Sequence, residues 1–540
     1  MKTKSNMKRA FILAPVFLVI SFFISIQPGD RCQGAPRIKA QPVMVMAAES
    51  AGAPSAAHEA ETGAEEAIPA HEETAGDPRE AAHGEEHAAG HEEGAEHGGH
   101  GPIKMSILWV LPFVGILLSI AIIPLVNGHW WHHNFPRVSL LWGLPMAIAM
   151  YIILPTKTFH TGVEYCSFLA LVGSLFVISG GVMVRGAFKS SPITNCIFLA
   201  IGSFLASFIG TAGASMVLVR PMLRINKNRK TKMHIFIFFI FMVSNIGGSL
   251  TPLGDPPLFL GFLQGVPFTW TLVHMIPGWA FMIGILLALF FLVDTMMLKK
   301  DGGVAQSDST EKFKIDGGVN FLFLGGVLAT VIVYGSVLPK EWGLGRDVFQ
   351  ILSMVLMATL SMLATPKKLR EENGFTWFPV KEVAILFAAI FACMIPALNI
   401  LEYMGSTGQL VVEHPWQYFW MAGSLSSFLD NAPTYLTFLS LGKTMIPIDP
   451  SGACVLGQGL LSQGIEVVGG CVPQKILLGI SMGAVFMGAN TYIGNAPNFM
   501  VKSICEENEV PMPSFIGYMG WSIAILIPLF VLVTFVFFRG

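Results

Sequence analysis

The sequence predicts an all-α polytopic membrane protein made of two repeats of inverted topology. Three observations carry this. The chain has 540 residues, of which 53% are hydrophobic and 13% charged, a balance too apolar for a soluble protein of this length. The stretch Thr251 to Phe259, T-P-L-G-D-P-P-L-F, returns 240 residues later at Thr491 to Phe499 as T-Y-I-G-N-A-P-N-F. A second element, S-F-I-G-T-A at Ser207 to Ala212, returns at an offset of 220 as S-F-L-D-N-A at Ser427 to Ala432. Gly and Pro are common in transmembrane helices, so either motif alone says little. Two motifs repeated in the same order point to an internal duplication.

In both copies of the longer motif an apolar run meets glycine, proline and small polar residues, which a continuous helix disfavours. Broken backbone at membrane depth is tolerated where it is buried in protein or lines a watery cavity, and in secondary transporters such breaks form the binding site. The expected class is therefore a transporter. No zinc-ligand spacing, nucleotide loop or catalytic triad motif accompanies it, so neither an enzyme, a cofactor nor a nucleic-acid partner is expected.

At the N-terminus Lys2, Lys4, Lys8 and Arg9 precede an apolar run from Ala10 to Ile26. That is the order of a secretory signal peptide, with a cleavage point near Ala35 or Ala47; an uncleaved first membrane helix is the alternative. Residues 1–35 are assigned to this segment, and residues 36–104 to an exported tract rich in His, Glu, Ala and Gly. From Glu49 to His100 this tract holds seven of the fourteen histidines and almost no large apolar residue, so it is expected to be disordered. Among its carboxylates His83, His87, His91, His97 and His100 could hold zinc, nickel or copper weakly, or titrate between about pH 5 and 7. A solvated tail is the equal alternative.

Crossing about 30 Å of hydrocarbon takes ~20 apolar residues. In residues 105–300, the first repeat, such runs are Met105 to Val126, Val138 to Pro155 and Tyr165 to Val184. A run interrupted at Gly210 to Gly213 follows from Asn195 to Arg224, then one broken at the motif from His234 to Gly265, and Thr269 to Leu298. After a cytoplasmic linker at 301–317, residues 318–540 give the same order: Gly318 to Leu338, Val348 to Thr365, Val383 to Ile400, Pro415 to Gly442 interrupted at Asp430 to Pro433, Ile476 to Met500 broken at the second copy, and Ser514 to Phe538. Each repeat thus has three helices, a hairpin, a broken helix and a final helix. The total is ten spanning helices plus two hairpins.

Positive charge in short loops sets orientation. The loop R-I-N-K-N-R-K-T-K, Arg224 to Lys232, is assigned to the cytoplasm, and Arg185, Lys189, Lys299, Lys300, Lys367, Lys368 and Arg370 agree. The first hairpin then begins and ends inside and the second outside. Both are re-entrant, and tips and breaks converge near the midplane. Cys454 and Cys471 fall in the long external loop, where a disulfide is possible.

A charged side chain at bilayer depth costs roughly 2.5–3.5 kcal/mol, so Asp255 beside one break and Asp430 at a hairpin tip are ion-site candidates. Around them stand Thr211, Ser215, Asn245, Ser249 and Thr251 in the first half and Asn431, Thr434, Asn490, Thr491, Asn495 and Asn498 in the second. Hard cations such as sodium take oxygen ligands. Burial favours a protonated carboxyl and bound sodium an ionised one, so one Asp can exchange the two cations. Asp430, with Asn431, Asn490 and Asn495 as neutral ligands, is the expected site of that competition; Asp255 is a candidate of the same kind and a weaker requirement if it mainly caps the helix after its break, the alternative reading.

S-S-F-L-D-N-A-P-T-Y (Ser426 to Tyr435), S-N-I-G-G-S-L-T-P-L-G-D-P-P (Ser244 to Pro257), F-T-W-F-P-V-K-E-V-A-I-L-F (Phe375 to Phe387) and G-A-N-T-Y-I-G-N-A-P-N (Gly488 to Asn498) resemble the NhaD-type sodium/proton antiporters. These belong to the ion transporter superfamily, together with arsenite permeases and citrate and dicarboxylate carriers. The resemblance covers about residues 105–540. It implies exchange of sodium or lithium for protons across a bacterial inner membrane, with lipid and small ions as partners and a homodimer as the expected assembly. Citrate, dicarboxylate or arsenite transport on the same fold is the alternative. An anion carrier is expected to add an intramembrane cation, for which Arg220 is the near candidate.

Overall fold

The computed structural model describes residues 102–186, 188–302, 314–410, 412–449 and 453–539. The N-terminal segment expected to be a signal peptide or first membrane helix, the His-rich tract with His83, His87, His91, His97 and His100, and most of the linker lie outside them.

The described chain is helical almost throughout. A 3-10 turn, Ile107–Val110, leads into α1, Leu111–Ile153, and α2, Pro155–Ser179. The first hairpin is α3, Pro192–Ile209, and α4, Thr211–Ile225. The first broken helix is α5, Met233–Met242, a 3-10 turn at Ile246–Leu250 and α6, Pro256–Leu263; α7, Phe268–Lys300, closes this half. The second half has α8, Asn320–Ser336, α9, Leu344–Ala364, the short α10, Lys367–Glu372, and α11, Phe378–Ser406. Its hairpin is α12, Pro415–Ser426, and α13, Asn431–Gly442; its broken helix is α14, Gln474–Met487, a turn at Gly488–Asn490 and α15, Ala496–Glu507; α16, Phe515–Phe537, ends the chain. Two small antiparallel pairs sit outside the helices: β1, Met183–Arg185, with β2, Lys314–Asp316, and β3, Gly464–Val467, with β4, Gly470–Pro473.

Among the described residues nine segments are long and apolar enough to cross a membrane. The expected ten differ from this count for physical reasons. α8 has 17 residues, about 26 Å at 1.5 Å per residue, and the second broken helix is divided into pieces of 14 and 12 residues. One hairpin arm, Pro192–Ile209, is itself long enough to count. Two boundaries also differ from expectation. The first two spans are joined without an open loop, since α1 bends at Asn127 (φ −149°, ψ 82°). α2 starts at Pro155, ten residues before the apolar run at Tyr165, because proline at the first helical position lacks only an N–H that a helix start leaves unpaired.

The burial gradient orders the bundle. In Met233–Leu250, 94% of the most apolar window is buried, against 17% in α9 and 28% in α7 and α16. Phe236, Phe238, Phe239 and Phe241 of α5 are fully buried, so this helix is apolar on every face and surrounded by protein, as expected of a helix with no polar stripe. α1 packs on α11 and α9 on α2, whereas each hairpin packs on broken-helix segments, α12 on α14 and α3 on the 3-10 turn of the first break. The halves also interlock: α13 packs on α6, and α15 on α4.

Candidate functional site

The two sequence motifs become matching hydrogen bonds. Thr251 Oγ1 donates to the Ser207 carbonyl, and Thr491 Oγ1 to the Ser427 carbonyl. Each threonine oxygen also accepts from the amide two residues on, Leu253 and Ile493, both at 3.2 Å. Ser207 Oγ donates to Gly247 O, and Ser427 Oγ to Met487 O at 3.1 Å, again 240 residues apart along the breaks. Each hairpin is thereby fastened to its own broken helix, with its non-helical carbonyls satisfied as burial requires. Close approach fixes the glycines: a Cβ on Gly254 would lie 2.0 Å from Gly248 O, and one on Gly494 2.5 Å from Gly488 O.

Four helices begin at this junction, α4 at Thr211, α6 at Pro256, α13 at Asn431 and α15 at Ala496. Asp255 is 1% exposed and precedes α6. Its Oδ1 accepts from Thr211 Oγ1 at 3.0 Å and Asn495 Nδ2 at 3.1 Å, and its Oδ2 accepts from Asn431 Nδ2 at 2.6 Å. One carboxylate thus receives a donor from each hairpin and from the opposite break. Asn495 also donates to Ser244 O at 3.2 Å, and Asn245 Nδ2 donates to Asn498 Oδ1 at 2.6 Å, so the two breaks are tied directly. Asn431 Oδ1, Asn245 Oδ1, Asn490 Oδ1 and Ser249 Oγ are buried with no hydrogen-bond partner.

The two aspartates bond differently, and it is Asp430, not Asp255, that caps a helix. Asp430 Oδ1 accepts from Ala432 N at 3.1 Å and caps α13, and the asparagines assigned to it turn elsewhere: Asn431 and Asn495 to Asp255, Asn490 to Ser427 Oγ at 2.9 Å. Asp255 makes no capping bond. The cause is in the sequence. The first two helical residues after Asp255 are Pro256 and Pro257, which have no N–H to offer, whereas Asp430 is followed by Asn431 and Ala432. Pro497 likewise removes the amide that Asn495 would cap, and Asn495 makes no capping bond. Both residues are free to reach across the junction.

Of the remaining candidates, Thr211, Asn245, Thr251, Asn431, Asn490, Thr491 and Asn495 are all buried at the junction, and Thr434, also buried, bonds back to Asp430 O at 3.0 Å. Arg220 lies on α4 more than two turns from Thr211, with its guanidinium against Gly374. Among the described residues no three His, Cys, Asp or Glu side chains are grouped to hold a metal. Sequence reasoning singled out Asn498 but passed over Ser207 and Ser427 as structural partners, although the two serines open the repeated hexapeptide. It also missed Asp294 of α7, a charge inside an apolar run, which pairs with Arg229 Nη1 at 2.5 Å and His234 Nε2 at 2.7 Å while both Asp294 and Arg229 side chains are 0% exposed.

A family model described as "Putative citrate transport" matches residues 102–538. The chain belongs to this family. It is also 22% identical over 403 residues to proteins named as uncharacterized transporters in Mycobacterium tuberculosis and Mycobacterium bovis, covering 67% of this chain and 85% of each relative. The protein is thus a multi-pass membrane transporter of the citrate-transport family, and the junction of its breaks and hairpins is the candidate site.

Proposed function

We propose that the protein exchanges sodium or lithium for protons at Asp255. The observation that carries this reading is the company of that carboxyl group, which is held by three neutral donors, Thr211, Asn431 and Asn495, with no Lys or Arg among them. A buried ionised carboxylate needs a compensating charge, and here a transported cation or a proton supplies it. In the protonated form Asp255 is neutral. In the ionised form it joins oxygens available nearby, Asn431 Oδ1 foremost, in holding a sodium ion. The expected orientation, inverted repeats with tips meeting at the midplane, gives both sides access to one site.

Transport of an organic anion is the second reading, favoured by the family description. Its physical support is the convergence of four helix N-termini, whose amide dipoles suit a carboxylate ligand. Purified protein in liposomes with an internal pH dye separates the two. Exchange predicts proton movement on adding sodium or lithium without citrate; a response to citrate alone supports the anion reading.

A further inference from the structure

We propose that Glu402 is a positioning residue that, through Lys443, latches α13, and with it Asn431 beside Asp255, against α2 and α11, and that releasing this latch opens one mouth of the site. The proposal rests on the exchange reading only for what Asp255 does, since the latch is independent of the species carried.

Glu402 of α11 bridges two ammonium groups, with Oε1 2.6 Å from Lys443 Nζ and Oε2 3.1 Å from Lys157 Nζ. Lys157 stands near the start of α2 and also donates to Asn399 of α11 at 3.1 Å. Lys443 ends α13, the helix that begins with Asn431, so it holds the far end of the element presenting that amide to Asp255. Glu402 and Lys443 side chains are 16% and 11% exposed, which separates them from surface pairs of little energetic consequence.

α6, the helix that Asp255 precedes, is joined to the same end. Its C-cap residue Gln264 accepts at its carbonyl from Val468 N at 2.7 Å, and Lys443 donates to Val468 O at 3.3 Å. Cys471 N in turn donates to Lys443 O at 3.1 Å. The β3–β4 hairpin therefore ties the ends of α6 and α13 together, and the Cys454–Cys471 disulfide, with Cα atoms 5.8 Å apart, staples that hairpin to its loop. Gln264 Nε2 also donates to Glu164 Oε1 of α2 at 2.7 Å. Two helices carrying the two sides of the Asp255–Asn431 bond thus share one tied end, and beside the packing of α13 on α11 and of α6 on α2 that end is fastened to them by polar side chains that can part without unfolding a helix. Removing the Glu402 charge does more than delete an attraction. It leaves Lys157 and Lys443 facing one another uncompensated, which drives α13 away from α2.

The test uses full-length protein in which every cysteine except Cys454 and Cys471 is replaced by serine, with Thr437→Cys as reporter. Thr437 lies midway along α13 and is 2% exposed. Its labelling by a membrane-impermeant maleimide requires no transported ion, so the latch and the exchange reading fail separately. Glu402→Gln is expected to speed labelling about tenfold, the population change that ~1.4 kcal/mol produces, and Glu402→Asp, which keeps the charge, to remain near the parental rate. Lys443→Gln breaks the same tie from the other side and is expected to speed labelling too; it decides the matter if Glu402→Gln does not fold. Parental rates in the neutral variants, or equal acceleration by Glu402→Asp, would overturn the proposal.

Discussion

At the residue scale the structure makes Asp255 and Asp430 unequal. Asp430 caps α13, and asparagine caps a helix about as well as aspartate. Asp430→Asn is therefore expected to keep folding and most exchange, whereas Asp255→Asn, which preserves size and removes the charge, is expected to stop exchange; initial rates in proteoliposomes check both. Competition at Asp255 also fixes a sign with pH. One proton must leave before sodium binds, so apparent sodium affinity rises with pH by up to about tenfold per unit while the carboxyl is protonated, and levels off once it is ionised. Both carboxylates were visible in the sequence as charges at breaks in apolar runs. Their difference in capping was partly legible too, through an absence: Pro256 and Pro257 carry no N–H for Asp255 to cap, and the next amide, Leu258 N, donates to the Asp255 carbonyl at 3.1 Å instead. What the sequence did not disclose is that Asn431 and Asn495 cross to the opposite repeat, because partners 176 and 240 residues away leave no local pattern.

At the scale of elements, periodicity and breakers located the hairpins and both broken helices. They did not show that α1 continues through the expected loop with a bend at Asn127, since polar residues between apolar runs read alike in a loop and in an exposed helical segment. The buried Asp294 predicts a stability effect without a transport role: Asp294→Asn leaves Arg229 buried without its charge partner and is expected to cost about 3 kcal/mol, seen as a lower unfolding temperature in detergent. The β1–β2 pair behaves differently. Lys314 and then Arg185 hold the half-buried Asp316 carboxyl below its ordinary range. Its contribution is present above the ordinary carboxylate value and is lost as pH falls through the lowered one, and added salt weakens it. The disulfide closes a loop of 17 residues, worth ~3 kcal/mol in the chain-entropy model; mass spectrometry of unreduced peptides after rapid alkylation should show Cys454 joined to Cys471.

For the whole molecule, the expected orientation puts the Arg224 to Lys232 loop on the cytoplasmic side and Val455 outside. In intact cells a single cysteine at Val455 should react with an impermeant thiol reagent, and one in the 224–232 loop should not; labelling of both would break the inverted arrangement on which two-sided access depends. The central claim is that Asp255 exchanges a proton for sodium. Its most direct test is purified protein in liposomes containing a pH dye, challenged in turn with sodium, lithium, potassium, citrate and arsenite, beside the Asp255→Asn protein. The account predicts proton movement with sodium and lithium, none with potassium, and none in the variant. A signal from citrate or arsenite alone, or normal sodium-driven exchange by Asp255→Asn, would contradict it.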